Sequence, residues 1–317
     1  MNQPGNDTFC RDLGTSGTTA RRHALTGALF ALTGATAYGI NIAGARLCAM
    51  LGITGSDIVV YRALIFLPVL AIIAGFLGRR LTLRADERPM VLRFALAAVG
   101  TALCYMTSLK YLPVPVAVTI FYTYPLIVIL LTPYLDRVRL PARRWVVAIV
   151  AFAGVLLAIG PSVDALDPRG VIFALLGSLF CAGMFIAGSR VTTDSIVTFF
   201  WCQLVALPLG LAFAFANGGL SEPAGLLVGL LPLAINIGGY FLGFLFQILA
   251  APRVSAATAG LLFLFEPVIA ILAAAIALGE HVTPIQGAGM LLVVGALAFD
   301  MLPGLRTKAP APSLSGP

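Results

Sequence analysis

Ten stretches of this chain are each apolar for about twenty residues, and no other feature restricts the possible folds so strongly. They cover 24–45, 57–78, 90–110, 114–134, 143–160, 170–190, 194–216, 223–250, 254–277 and 283–303. A helix rises about 1.5 Å per residue, so a run of about 20 residues crosses the hydrocarbon core of a bilayer. Lipid offers no partner to backbone N–H and C=O groups, which leaves helices or closed barrels as spanning structures. Long apolar runs without strict alternation read as helices. Composition agrees, with 60% hydrophobic and 10% charged residues and a mean hydropathy of +1.00. A soluble domain carries roughly a quarter charged residues. The expected fold class is an all-α integral membrane protein with ten transmembrane helices.

The net charge of +7 raises nucleic acid as a partner, but the basic residues sit in short clusters between apolar runs. Arg79, Arg80, Arg84 and Arg88 form one cluster, and Arg137, Arg139, Arg143 and Arg144 another. Cytoplasmic loops of membrane proteins look like this, so no nucleic acid is expected. With the N-terminus inside, the tails and even-to-odd loops hold fifteen Lys and Arg, against three (Arg46, Lys110, Arg169) on the outer side. Both termini are therefore expected in the cytoplasm. Arg21 and Arg22 read as the inner flank of the first helix rather than as an export signal.

The chain also repeats itself. FALTGATAYGINIAGAR (30–46) matches FALLGSLFCAGMFIAGSR (173–190), with Phe30, Ala31, Leu32 and Gly34 finding Phe173, Ala174, Leu175 and Gly177. Ala117, Phe121, Pro125, Ile127, Ile129 and Leu130 recur 142 residues later as Ala259, Phe263, Pro267, Ile269, Ile271 and Leu272. Each unit holds five helices, and five is odd, so the second copy enters the membrane inverted. Inverted repeats characterise secondary transporters, whose halves rock around a site between them. The expected organisation is a polar cytoplasmic tail (1–22), a first five-helix repeat (23–165), a second inverted repeat (166–303) and a Pro/Ser-rich cytoplasmic tail (304–317).

The fourth segment carries FYTYPLIVILL (121–131) and the ninth GLLFLFEPVIAILAAAIAL (260–278). Proline lacks the N–H that would bond the carbonyl four residues back, so Pro125 frees the carbonyl of Phe121 and Pro267 that of Phe263. Orphan carbonyls in a membrane must find a partner or line a cavity. Both helices are therefore expected to kink near mid-membrane at Pro125 and Pro267. Glu266 falls at this depth, where an acidic residue costs at least about 2.5–3.5 kcal/mol. A carboxyl there either binds and releases a proton during transport or only braces the kink; the residues alone leave both open. Other intramembrane polar groups are Tyr38, Asn41, Arg62, Tyr105, Tyr124, Gln203, Asn236, Tyr240 and Gln247. Tyr38/Asn41 and Asn236/Tyr240 have the spacing of one helix face. A transport cavity lined by Tyr38, Asn41, Tyr105, Tyr124, Asn236, Tyr240 and Glu266 is the expectation. Arg62 is a candidate partner for Glu266, but it lies nearer the outer end of its helix, and snorkelling to the outer surface is the default expectation. Gly239 and Gly243 suggest close helix packing.

These features resemble the EamA-type family of the drug/metabolite transporter superfamily. The likeness rests on the paired five-helix units, on FYTYPLIVILLTPYLDRVRL (121–140) with its copy LFEPVIAILAAAIALGEHVT (264–283), and on Tyr61-Arg62. Gly279-Glu280 fits the family; Asp136-Arg137 stands in its place in the first copy. The resemblance spans about residues 24–303. It implies an inner-membrane exporter or exchanger of small metabolites, such as amino acids or toxic compounds, with a cavity lined by helices one, three, four, six, eight and nine.

Other functions find little support. There is no GxxxxGK[ST] loop for ATP-driven transport. His23 and His281 fall near opposite membrane faces, and Cys10, Cys48, Cys104, Cys181 and Cys202 are widely spaced, so no catalytic triad, metal site or cofactor is expected. A membrane-embedded enzyme or a non-transporting scaffold or sensor are the alternatives. The expected partners are a small-molecule substrate, membrane lipid and protons, with the chain a monomer or homodimer.

Overall fold

Polar residues just outside the apolar runs set where several helices begin. Thr54 caps the second helix in a reciprocal box, its hydroxyl accepting from the Asp57 N–H while the Asp57 carboxylate accepts from Thr54. Asp167, Asp194 and Ser255 cap three others through their side chains. Each such cap satisfies backbone donors that a helix start leaves open. The computed structural model describes residues 6–135, 137, 140–160, 166–220, 229–279 and 281–306.

The elements are α1 (Asn6–Met50), α2 (Gly55–Phe76), α3 (Arg88–Ser108), α4a (Val114–Phe121), α4b (Tyr124–Leu135), α5 (Ala142–Ile159), α6 (Pro168–Gly188), α7 (Ser195–Ala216), α8 (Leu230–Ala250), α9a (Ala256–Leu262), a 3-10 turn (Phe263–Phe265), α9b (Glu266–Leu278) and α10 (Pro284–Arg306). Among the described residues all regular structure is helical, and ten helices are long and apolar enough to cross a membrane. The first helix extends N-terminally to Asn6, through most of the segment expected as a polar tail. The expected tail beyond residue 306, Asp136, Glu280 and the expected first turns of the eighth helix at 223–228 lie outside the described residues.

The ten spans form two inverted five-helix repeats, and the packing shows it pair by pair. Helix α1 packs along α8, and α6 packs along α3, which is the same contact with the repeats exchanged. The pairs α2–α7, α5–α10 and α4b–α9a bring each helix against a partner from the other repeat. Close approaches repeat too. A Cβ on Gly34 would sit 3.4 Å from the Gln247 amide nitrogen, and one on Gly177 would sit 3.2 Å from the Tyr105 amide nitrogen. Gln247 and Tyr105 are 142 residues apart, matching the sequence repeat. Large apolar side chains such as Phe76, Ile276 and Leu291 stand exposed on the outside, where a bilayer would cover them.

Candidate transport site

The spans that carry Pro125 and Pro267 are both interrupted, at repeat-equivalent positions. In the ninth, the helix tightens into a 3-10 turn, and the Phe263 carbonyl accepts from the Glu266 N–H instead of the donor that Pro267 lacks. In the fourth, Tyr122 and Thr123 separate α4a from α4b. There the Thr123 hydroxyl donates to the Ile120 carbonyl (2.7 Å) and lies 2.8 Å from the Ser178 hydroxyl of α6. Breaks of this kind are tolerated at membrane depth when neighbouring helices take up the freed groups.

The interruption in α9 delivers Glu266 to the bundle interior. It is half-buried, and its neighbours are Tyr38 of α1, Tyr105 of α3, Tyr122 and Tyr124 at the α4 break, and Cys181 of α6. The Tyr122 hydroxyl faces the Glu266 carboxyl. The two broken segments thus meet at this hydroxyl and carboxyl.

A chain of aromatic rings surrounds this point. Tyr105 meets Phe121 at 5.0 Å between centroids, Phe121 meets Tyr124 at 5.6 Å, and Tyr124 stacks on Phe185 at 5.3 Å. Phe185 meets Phe263 at 5.2 Å, Phe263 meets Tyr38 at 5.9 Å, and Tyr38 meets Tyr240 edge-on at 5.7 Å. Contacts of this geometry add about 0.5–1.5 kcal/mol each beyond burial. The structure therefore brings Tyr38, Tyr105, Tyr124, Tyr240 and Glu266 together. The Tyr38 hydroxyl is engaged, donating to Gln247 Oε1 at 2.9 Å.

Asn41 and Asn236 take a different position. Asn41 Nδ2 donates to the Asn236 carbonyl (2.7 Å), and Asn236 Nδ2 donates to the Asn41 carbonyl (3.0 Å). The pair clamps α1 to α8 rather than facing Glu266, and the polar spacing that suggests a cavity face serves helix contact here.

Arg62 overturns the expectation of snorkelling. It is buried, and its guanidinium carbon lies 3.3 Å from the centroid of the Tyr240 ring. Tyr240 provides an aromatic face inside the bundle, so the cation turns inward. It forms no ion pair with Glu266.

Tyr122 is the neighbour of Glu266 that sequence reasoning overlooks. The repeat aligns Glu266 with Tyr124, so Tyr124 attracts attention, yet the side chain two residues earlier reaches the carboxyl. The FYTYP motif, with aromatic residues at 121, 122 and 124, is the available signal.

Ten spans in two inverted halves, interrupted where they meet around one interior carboxyl, define a membrane-transporter bundle. The EamA-like transporter family matches the chain twice, over residues 25–160 and 168–301, and the chain belongs to that family. The threonine/homoserine exporter RhtA of Escherichia coli K12 is 29% identical over 243 residues, 73% of this chain and 76% of the relative. The threonine/homoserine exporter RhtA of Salmonella typhimurium LT2 is 27% identical over 240 residues, 73% and 77% of the two chains. A solved crystal structure superposes with a TM-score of 0.74 at 18% identity, over 90% of this chain and 99% of its own, and so shares the fold. The protein is a multi-pass membrane transporter of small molecules.

Proposed function

We propose that the protein is a secondary transporter that moves small amino acids outward across the inner membrane by alternating access, in exchange for protons bound at Glu266. One observation carries the reading. The Tyr122 hydroxyl at one interruption faces the Glu266 carboxyl at the other, and that carboxyl is a group a proton can neutralise. Ionised, Glu266 only accepts; protonated, it also offers a donor, so proton binding changes what the α4 break sees. A ligand or proton shifts a two-state bundle only by its differential interaction with the two states. Placing the titrating group on the contact between the halves supplies that difference.

The relatives' activity supports amino acids as cargo, and the aromatic walls with few hydrogen-bonding groups suit small amphipathic solutes. The expected orientation, with both termini in the cytoplasm, is supported by the loops. Arg79 of the 2–3 loop pairs with Asp194 of the 6–7 loop at 3.5 Å, so two basic loops share one face.

Inverted membrane vesicles expressing the protein should accumulate labelled L-threonine and L-homoserine, faster with an imposed proton gradient. Accumulation equal to that of vesicles lacking the protein, across a panel of amino acids, overturns the reading. Accumulation without response to the gradient overturns its proton-coupled part.

A further inference from the structure

Proton exchange at Glu266 leaves Arg62 without a task, although its position is costly. Arg62 is 8% exposed and has neither a hydrogen bond nor an ion pair among the described residues. Its Nε is buried without a partner, and its described contact is the Tyr240 ring. Burying an unpaired cation costs more than a desolvated cation–π contact returns. The balance calls for an anion.

A second orphan group faces the same space. Gln203 of α7 is 1% exposed, and its Oε1 is buried with no partner. Its amide end reaches the Tyr240 hydroxyl, so Oε1 is the atom left free. Arg62 and Gln203 line one small cavity together with Tyr240, Val59 and Cys202. In this state the space holds about one water molecule.

The two orphans ask for opposite things. A guanidinium presents only donors and fits a planar carboxylate; an amide oxygen accepts and fits an ammonium or hydroxyl. A phosphate would satisfy the first and repel the second, and no other cation lines the cavity to balance its second charge. Both side chains contact Tyr240, so a ligand bearing the two groups on neighbouring atoms reaches both.

We infer that Arg62 and Gln203 form the headgroup subsite for a zwitterionic α-amino acid, with the carboxylate on the Arg62 guanidinium and the ammonium on Gln203 Oε1. This rests on the proposed amino-acid transport. The ring of Tyr38 adjoins Tyr240 of this subsite and neighbours Glu266, so substrate headgroup and proton occupy separate places in one aromatic-lined path. Entry requires α2 and α7, a pair related by the pseudo-two-fold, to draw back from α3 and α8.

Purified protein in proteoliposomes, loaded with L-threonine, tests this by counterflow of labelled L-threonine under competition. The competitors are L-homoserine, L-threoninamide, which lacks the carboxylate, and 3-hydroxybutyrate, which lacks the ammonium. In the wild type, homoserine should compete well and each single-group analogue at least about tenfold more weakly, the loss of one charge-assisted hydrogen bond. Arg62→Gln should erase the preference for threonine over threoninamide. Gln203→Leu should erase the preference for threonine over 3-hydroxybutyrate and keep the other. Should Arg62→Gln fail to fold, Gln203→Leu, which leaves the cation in place, decides the matter. Normal counterflow with unchanged preferences in the variants overturns the subsite alone. Absence of threonine and homoserine counterflow in the wild type overturns amino-acid transport, and the subsite with it.

Discussion

Two neighbouring glycines on α8 make opposite predictions for the same substitution. A Cβ on Gly239 would lie 2.9 Å from both the Ala37 carbonyl oxygen and the Asn41 amide nitrogen, and 3.0 Å from Asn41 Cα. A Cβ on Gly238 would meet nothing within 4 Å. Alanine in place of a helical glycine gains about 0.8–1 kcal/mol from backbone entropy at either position. At Gly239 that gain is opposed by overpacking of about 1–3 kcal/mol, because the obstacle is the α1 backbone rather than a flexible side chain. Separating α1 from α8 also stretches the two Asn41–Asn236 hydrogen bonds, worth about 0.6 kcal/mol each in membrane helices. Gly238→Ala should therefore stabilise by about 0.5–1 kcal/mol, and Gly239→Ala should destabilise by about 1–2. The gap of about 1.5–3 kcal/mol corresponds to midpoints about 3–12 °C apart in thermal unfolding of the detergent-solubilised protein. Equal midpoints, or a lower one for Gly238→Ala, would refute the α1–α8 packing described here.

Three further outcomes follow from single contacts. Arg137 holds φ 54, the left-handed conformation that Gly279 holds at the repeat-equivalent end of α9b. Relief of about 1–2 kcal/mol of steric cost, less glycine's entropy, should make Arg137→Gly more stable by about 0.5–1 kcal/mol, read as a higher unfolding midpoint. In a double-mutant cycle, Asn41→Ala and Asn236→Ala should couple by about 0.5–1.5 kcal/mol, whereas Asn41→Ala and the distant Thr132→Ala should be additive within about 0.5. Tyr122→Phe removes the hydroxyl that faces Glu266 while keeping the ring packed, so transport should slow at least about tenfold with the unfolding midpoint little changed; normal transport would show that this hydroxyl is dispensable.

Much of the fold was legible because membrane segments announce themselves by length and the repeat by residue identity. The interruptions at Pro125 and Pro267 were legible through the repeat that pairs them; proline alone does not break a span, since Pro68 lies inside the unbroken α2 and Pro208 inside the unbroken α7. What depends on neighbouring helices was not. The spacing of Asn41 with Tyr38 places both on one face but does not say that α8 covers it, so the asparagine clamp looked like cavity lining. Arg62 looked like a snorkelling residue because nothing local reveals the Tyr240 ring waiting inside. Tyr122 was hidden by the repeat itself: Leu264 stands at its equivalent position, so self-comparison pointed to Tyr124. The alignment of Asp136-Arg137 with Gly279-Glu280 was one residue out of step, and backbone conformation corrects it, since Arg137 occupies the place of Gly279.

In the proposed cycle, Glu266 carries the proton exchanged for substrate at the junction of the two repeats. Counterflow and gradient-driven uptake of labelled threonine, measured side by side on Glu266→Gln in proteoliposomes, address it directly. The glutamine keeps the size and hydrogen-bonding capacity of a neutral carboxyl but cannot release a proton. Retained counterflow with loss of the response to a proton gradient is the predicted result. A full response to the gradient in Glu266→Gln would contradict it and leave the carboxyl as a brace for the α9 break.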